Sequence, residues 1–471
     1  MSNELLGKLG DLAKPGIQPV LDAEFRPAAL ANRAFLSAVR ESGQAVPLVI
    51  GLERGDGTTS VFKTEVFPTG HPMAELNLPY VERLVKFLLW QKGGWKVTIG
   101  GPKEIGEYIR DTYSANGARA FDYEFMGQTV YERTLEVVIT DCGNVPAAKE
   151  LSMPLGRHLD GYRIGFDLGA SDRKVAAVVN GESVYSEEVV WEPRDQTDPL
   201  YHYDQVMAAL KTAASHMPRV DAIGGSSAGV IINNRPMVAS LFRGVPRDLF
   251  NTKIKNLFID IGKEWGVPLE VANDGDVTAL AGSMSLNDNS VLGVAMGSSE
   301  AVGYVNEEGN ITGWLNEHAF APIDYAADAP ADEWSKDIGC GVQYLTQQAV
   351  FRLAKTVGIE LDESQTLAAK LKSVQILLEA GDERARKIWE TIGCYAGYAI
   401  AHYADFYDIK HMLILGRVTS GSGGNIVLEK ANEVLAAEFP ELAKKIELHL
   451  PDEKTRRVGQ AVAAASLAAT K

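Results

Sequence analysis

Five short stretches place glycine, small hydroxyl residues and carboxylates where a chain leaves a strand. The first is IGFDLGASDRK, residues 164–174, which runs as a buried strand and breaks at Asp167, Gly169, Ala170 and Ser171 before the apolar run VAAVV. A hairpin of this kind either grips phosphate through its backbone amides or is only a hairpin. The others are a glycine-rich turn at 224–229, the pair Asn273-Asp274 after an apolar strand, a small-residue hairpin at 297–303 and the loop of HMLILGRVTSGSGG, 411–424. That last loop holds four glycines and three small hydroxyl residues, so backbone amides can approach a ligand closely. An Asx turn closing the strand explains Asn273-Asp274 equally well from local sequence.

The elements that must carry these stretches follow from composition and period. The chain has 471 residues, 46% hydrophobic and 23% charged, which predicts a soluble protein of two or three domains. Its net charge of −16, with no basic run, argues against nucleic-acid binding. Cys142, Cys340 and Cys394 are too scattered for a disulfide framework or a metal-ligand pair and predict a reducing compartment. The start, MSNELLGKLGDLAKPG, lacks a signal-peptide core, and no apolar run reaches membrane-spanning length, so a cytoplasmic protein with no membrane contact is expected. A proline- and glycine-bearing seam at 146–162 reads as a linker. Before it, residues 1–150 form a mixed α+β N-terminal domain, with a hairpin at 47–67 around Asp56-Gly57 and a helix over 81–90. After it, strands and helices alternate twice, from 160 to 285 and from 286 to 451, which predicts two similar α/β halves with a cleft between them. The helix at 452–471 is expected to complete the first half. Period-3.6 spacing in ERARKIWETIGCYAGYAIAHYADFY predicts a long helix whose cysteine, tyrosines and His402 are core. WQKGGWKVTIGGP, 90–102, reads as a tight turn with core tryptophans.

In this order the motifs resemble the ROK family, sugar kinases and sugar-responsive repressors with an actin-like, ribonuclease H-like α/β fold, over residues 160–471. IGFDLGAS is similar to that family's IGIDIGGT, VDAIGGSSAGVI to its GIGIPGPV loop, and VANDGDVTALAG to its ENDANAAALGE segment. EHAFAPID (317–324) is similar to ExGHxPVD, and LILGRVTS to its adenosine-side strand and turn. The resemblance implies ATP-dependent phosphorylation of a sugar hydroxyl, with ATP and Mg²⁺ as cofactors. A transfer of this kind needs positioning, support for the phosphates and one base. It implies Asp274 as that base, with Asn273, Glu317, Ala228 and Gly229 on the sugar. It implies Asp167, Gly169, Ser171, Gly297 and Ser298 at the Mg²⁺ and phosphates, Asp167 facing the metal indirectly, and Gly416, Val418, Thr419 and Ser420 near adenosine. A homodimer is the assembly it suggests.

Departures from the pattern shape the remaining expectations. The family's GTGxGGG is here Gly297-Ser298-Ser299-Glu300-Ala301-Val302-Gly303, so Glu300 is expected to bring negative charge to the phosphate site and weaken ATP binding. Phe320 stands at the zinc-binding histidine, Glu333 and Ser335 at two of the cysteines, and only Cys340 remains, so no structural zinc is expected. Val342 replaces a sugar-contacting glutamate, and the N-terminal region lacks a basic recognition helix, which disfavours a repressor. Two functions follow: a sugar or sugar-derivative kinase, or a non-catalytic relative that senses a sugar or nucleotide.

Overall fold

The computed structural model describes residues 3–150, 155–170, 172–451 and 453–470. Ser171, residues 151–154 of the expected linker, and residues 452 and 471 of the expected C-terminal helix lie outside them.

The N-terminal region builds one four-stranded sheet, ordered β2-β1-β3-β4, from β1 (Val46–Glu53), β2 (Thr59–Val66), β3 (Lys96–Gly100) and β4 (Glu136–Thr140). Its strands β1 and β2 are the expected hairpin around Asp56-Gly57. Helix α1 (Asn77–Lys92) is buried along nearly its whole length, including the charged residues Glu82, Arg83 and Lys86. The hydrophobic core under this region does not close on itself. It runs without a break into the second half, where Phe87 stacks on Phe406 at 4.1 Å and Phe25 packs on Tyr395 at 4.8 Å. A chain-order seam is therefore not a boundary in packing, and 1–150 is joined to the second half by shared apolar burial.

The first half is a five-stranded sheet ordered β11-β8-β5-β6-β7. It uses β5 (Tyr162–Leu168), β6 (Asp172–Val179), β7 (Glu182–Val190), β8 (Ala222–Ser227) and β11 (Leu269–Asn273). Strands β5, β8 and β11 run parallel, and β5-β6-β7 is an antiparallel meander. Burial on both faces explains why β8 reads as unbroken apolar and small residues and why β5 is apolar apart from Arg163 and Asp167. Helices α2 (Pro199–Ala214) and α3 (Leu257–Trp265) cross between strands, and the short hairpin β9 (Val230–Ile232) and β10 (Arg235–Val238) projects from the sheet. Helix α4 (Asp274–Leu286) leaves β11 directly.

The second half repeats the plan in four strands, β12 (Val291–Met296), β13 (Glu300–Val305), β14 (His411–Leu415) and β15 (Glu447–His449). Their order, β13-β12-β14-β15, matches β6-β5-β8-β11: one antiparallel hairpin followed by two parallel partners. Helices α5 (Glu383–Tyr403) and α6 (Ser422–Glu438) pack together, and α6 lies against β14 and β15. The last helix, α7 (Glu453–Ala465), returns to the first half and lies on β5, β6 and β8. A Cβ at Gly224 would meet the Ala464 carbonyl at 1.7 Å, so glycine is what allows that helix to sit directly on the sheet.

Among the described residues no helix is long and apolar enough to cross a membrane.

Candidate functional site

The strand register assembles the site. Asp167 pairs across β5-β8 with Ser226 and across β5-β6 with Lys174, so one carboxylate is flanked by a hydroxyl and an ammonium. Ser226 donates to Asp167 Oδ1 at 2.7 Å, and Lys174 Nζ lies 3.4 Å from Oδ2 and 2.8 Å from Asp172 Oδ1. Burial raises the Asp167 pKa, with Lys174 and Ser226 pulling it back. One strand over, Asn273 aligns with Ser227 at the carboxyl ends of the parallel strands, where open α/β sheets place their ligands.

Asn273 caps α4. Its Oδ1 accepts from the Gly275 N–H at 2.7 Å, and its Nδ2 donates to the Gly229 carbonyl at 2.8 Å. The Asx turn is thus present, and the amide ties the Gly229 turn to the start of α4, which gives Asn273 a positioning task beside any sugar contact. Gly229 has φ +107°, and a Cβ there would meet the Val238 carbonyl at 2.2 Å, so this turn demands glycine.

Between the halves lies a cleft of about 530 Å³. It gathers Gly169, Ala228, Gly229, Asn273, Asp274, Gly297, Ser298 and Glu317 from the sequence-predicted set. Asp274 sits half-buried at the first turn of α4; burial, and then the neighbouring Asp167 charge, push its pKa up to about 6. The Glu317 carboxyl faces the same space with no side-chain hydrogen bond to a described residue, and burial with the Asp274 and Asp276 charges pushes its pKa up to about 8. At neutral pH it is therefore a neutral acid that both donates and accepts.

Glu300 corrects an expectation. It is 2% exposed, accepts from the Tyr403 hydroxyl at 2.8 Å, and burial pushes its pKa up to about 8. It carries no charge at neutral pH, so it does not repel an anion at the Gly297 turn.

Gly416, Val418, Thr419 and Ser420 do not line this cleft. Gly416 presses on the Met296 backbone, Val418 and Thr419 are buried, and the Val418 carbonyl accepts from the Trp389 indole at 2.9 Å. Helix α6 begins beyond them with the Ser422 N–H and hydroxyl both donating to Glu379, at 2.8 and 2.9 Å. The segment is satisfied internally because its carbonyls and amides meet side chains of neighbouring helices that local sequence does not reveal.

Sequence reasoning missed Arg194, the one cationic side chain among the described residues that line the cleft. Its Nε is buried without a partner. Nothing in WEPRDQT marks it; only folding brings the end of β7 over the Gly169 turn. Phe125, Phe320 and Trp334 add aromatic walls, Phe125 from the N-terminal region.

Opposite Phe320, the loop that would carry a zinc in the resembling family is held by buried charge. Asp337 meets Arg83 at 3.0 Å, Lys86 at 3.1 Å and Arg119 at 2.6 Å. Glu82 and Asp122 complete three cations against three carboxylates. Burial works to raise Asp337, but Arg83 and Lys86 outweigh it and hold its pKa below the usual range. His318, near the family's histidine position, is buried and meets the Tyr407 hydroxyl at 2.7 Å, a core contact.

The fit of Mg²⁺ and phosphate to these residues is supported at the turns. A Cβ on Gly169 or Gly297 would meet only one or two atoms of its own turn, none nearer than 3.1 Å, so both glycine turns leave open space. Buried Asp167 is a carboxylate that a cation would stabilise, the place Lys174 now shares. The residues expected at adenosine do not offer a comparable cradle.

No family model matches the sequence, and no curated protein matches it. Solved structures do. The chain is similar to a ROK family transcriptional regulator, a homolog of the E. coli MLC protein, at 17% identity and a TM-score of 0.52, covering 65% of this chain and 79% of that one. It is similar to the ROK hexokinase from Thermus thermophilus at 16% identity and a TM-score of 0.50, covering 64% and 97%. At these identities the likeness is one of architecture, and it gives the chain the actin-like α/β fold of ROK proteins.

Proposed function

We propose that the cleft transfers the terminal phosphoryl group of ATP to a hydroxyl of a sugar or sugar derivative. The observation that carries this reading is Asp274, a carboxylate with its pKa near 6 in a cleft between two glycine turns. Such a group is ionised at neutral pH and basic enough to accept a hydroxyl proton as the new P–O bond forms. Mg-ATP, when bound, supplies the phosphoryl group and the charge neutralisation for it. Asp167 and the backbone at Gly169, Gly297 and Ser298 would hold it. Asn273 fixes the Gly229 turn beside the base, neutral Glu317 donates to and accepts from the substrate, and Arg194 faces developing negative charge. Phe125, Phe320 and Trp334 offer apolar faces to a sugar ring.

A second reading, a non-catalytic sensor, is favoured by one observation: Lys174 already bridges Asp167 and Asp172 at the position proposed for the cation. Calorimetric titration of Mg-ATP, with and without a panel of neutral and acidic sugars, separates the two. The kinase reading expects micromolar to low-millimolar binding strengthened by one sugar, followed by ADP release. Sugar binding with no nucleotide heat and no ADP would overturn it in favour of the sensor.

A further inference from the structure

We infer that the edge of the second half holds a divalent transition metal of the zinc class, on His411, Glu447 and His449, at the end of the sheet away from the cleft. His411 opens β14 and pairs in parallel register with Glu447, while His449 pairs two residues on with Leu413. The three side chains therefore share one face of adjacent strands. His411 Nδ1 lies 3.0 Å from His449 Nε2 and 3.8 Å from Glu447 Oε2, and His449 Nε2 lies 4.0 Å from the same oxygen. The centre of a triangle with sides of 3.0, 3.8 and 4.0 Å is about 2.1 Å from each corner, which is the zinc–imidazole and zinc–carboxylate distance. Two imidazoles and a carboxylate are the donor set such ions take, and a small inward shift of the exposed Glu447 carboxylate lets the ion rise out of their plane and accept a water as fourth ligand.

A second observation supports it independently. The other nitrogen of His411, Nε2, meets Asp288 Oδ2 at 3.0 Å. That contact fixes the imidazole with Nε2 as donor and leaves the Nδ1 lone pair aimed at His449 and Glu447, the carboxylate–histidine–metal arrangement of outer-shell support. Lys410 lies 3.4 Å from Asp288 and balances its charge. His411 and His449 keep 13% and 20% of their side chains exposed and Glu447 keeps 70%, so an ion can enter from solvent.

The site is structural. Residues of the cleft follow the carboxyl ends of the strands, whereas His411 is the first residue of β14. A bound ion would clip the three-residue edge strand β15 to β14 and, through Asp288, to the loop after α4.

The test uses the full-length protein without a polyhistidine tag, treated with chelator and titrated with Zn²⁺ and Co²⁺, following calorimetry, melting temperature and the visible spectrum of Co²⁺. The inference expects one equivalent bound, a raised melting temperature, and the absorption of tetrahedral cobalt in a nitrogen–oxygen field. His449→Ala should abolish it, Glu447→Ala, an exposed change, should weaken it at least about tenfold, and Asp288→Asn should weaken it by about 10–100-fold. No saturable binding, binding unchanged by Glu447→Ala and His449→Ala, or a thiolate-to-cobalt band would overturn it. In that case the 3.0 Å contact is a hydrogen bond between two imidazoles sharing one proton.

Discussion

Asp274 and Glu317 share the cleft with no lysine and a single arginine among the described residues that line it; the Asp167 charge makes Asp274 harder to ionise, and the Asp274 and Asp276 charges do the same to Glu317. The base must be ionised to act, so kcat/KM should rise with pH through about 6 and fall away below it. A pH–rate profile checks this, and a limb near 4 would mean that Asp274 is not desolvated in the working enzyme. Arg194 is the residue whose loss should hurt chemistry more than folding. Arg194→Ala should lower kcat about 10²-fold with an unchanged melting temperature, in line with removing one preorganised donor. Steady-state kinetics and a thermal melt read both. At this scale the glycine turns were legible because they break apolar strands, whereas Asp274 and Glu317 stood out only through the resemblance of VANDGDVTALAG and EHAFAPID to family motifs. Arg194 stayed hidden, since an arginine in a polar loop looks like any other, and Glu300 was misjudged because period-2 alternation could not say that Tyr403 of a distant helix would meet it.

At the scale of elements, the loop 332–340 is held by buried charge. Asp337 is 5% exposed and joins three cations from α1 and the Arg119 turn. Removing one partner leaves the rest buried and uncompensated, so Asp337→Ala should cost about 3–5 kcal/mol, measured by denaturant unfolding. Loss of under about 1 kcal/mol would show that water reaches the cluster. The order of strands and helices after residue 160 was legible because buried parallel strands and amphipathic helices carry different periods. The long helix α5 was legible for the same reason. The shared core between residues 1–150 and the second half was not, because contacts such as Phe87 with Phe406 join positions more than three hundred residues apart. The packing of the segment expected near adenosine was not legible either: HMLILGRVTSGSGG has the composition of a ligand loop, and only the fold shows Trp389 and Glu379 meeting it.

For the whole molecule, several carboxyls keep protons that the unfolded chain has lost. Asp276 and Asp324 are pushed up to about 7, Glu300 and Glu317 to about 8, all by burial first. With folded pKa values above unfolded ones, their contribution is complete below about pH 4 and is lost as pH rises through 7 to 8. Asp288 and Asp382, held down near 2, act only at the acid end. Melting temperature should therefore fall between pH 6 and pH 8.5, and Glu300→Gln should flatten that fall by up to about 1.4 kcal/mol per pH unit. A melting temperature that climbs over this range would contradict the burial of these groups. The two-lobed plan, with β6-β5-β8-β11 repeated as β13-β12-β14-β15, sets Asp274 of one lobe and the Gly297 turn of the other on the same cleft, so the proposed transfer depends on both lobes. The most direct test is ADP release by wild-type protein and Asp274→Asn side by side, at saturating Mg-ATP and the sugar found by calorimetry. Turnover should fall by about 10²–10⁴-fold in Asp274→Asn, with sugar binding retained. Equal turnover in the two proteins would contradict it.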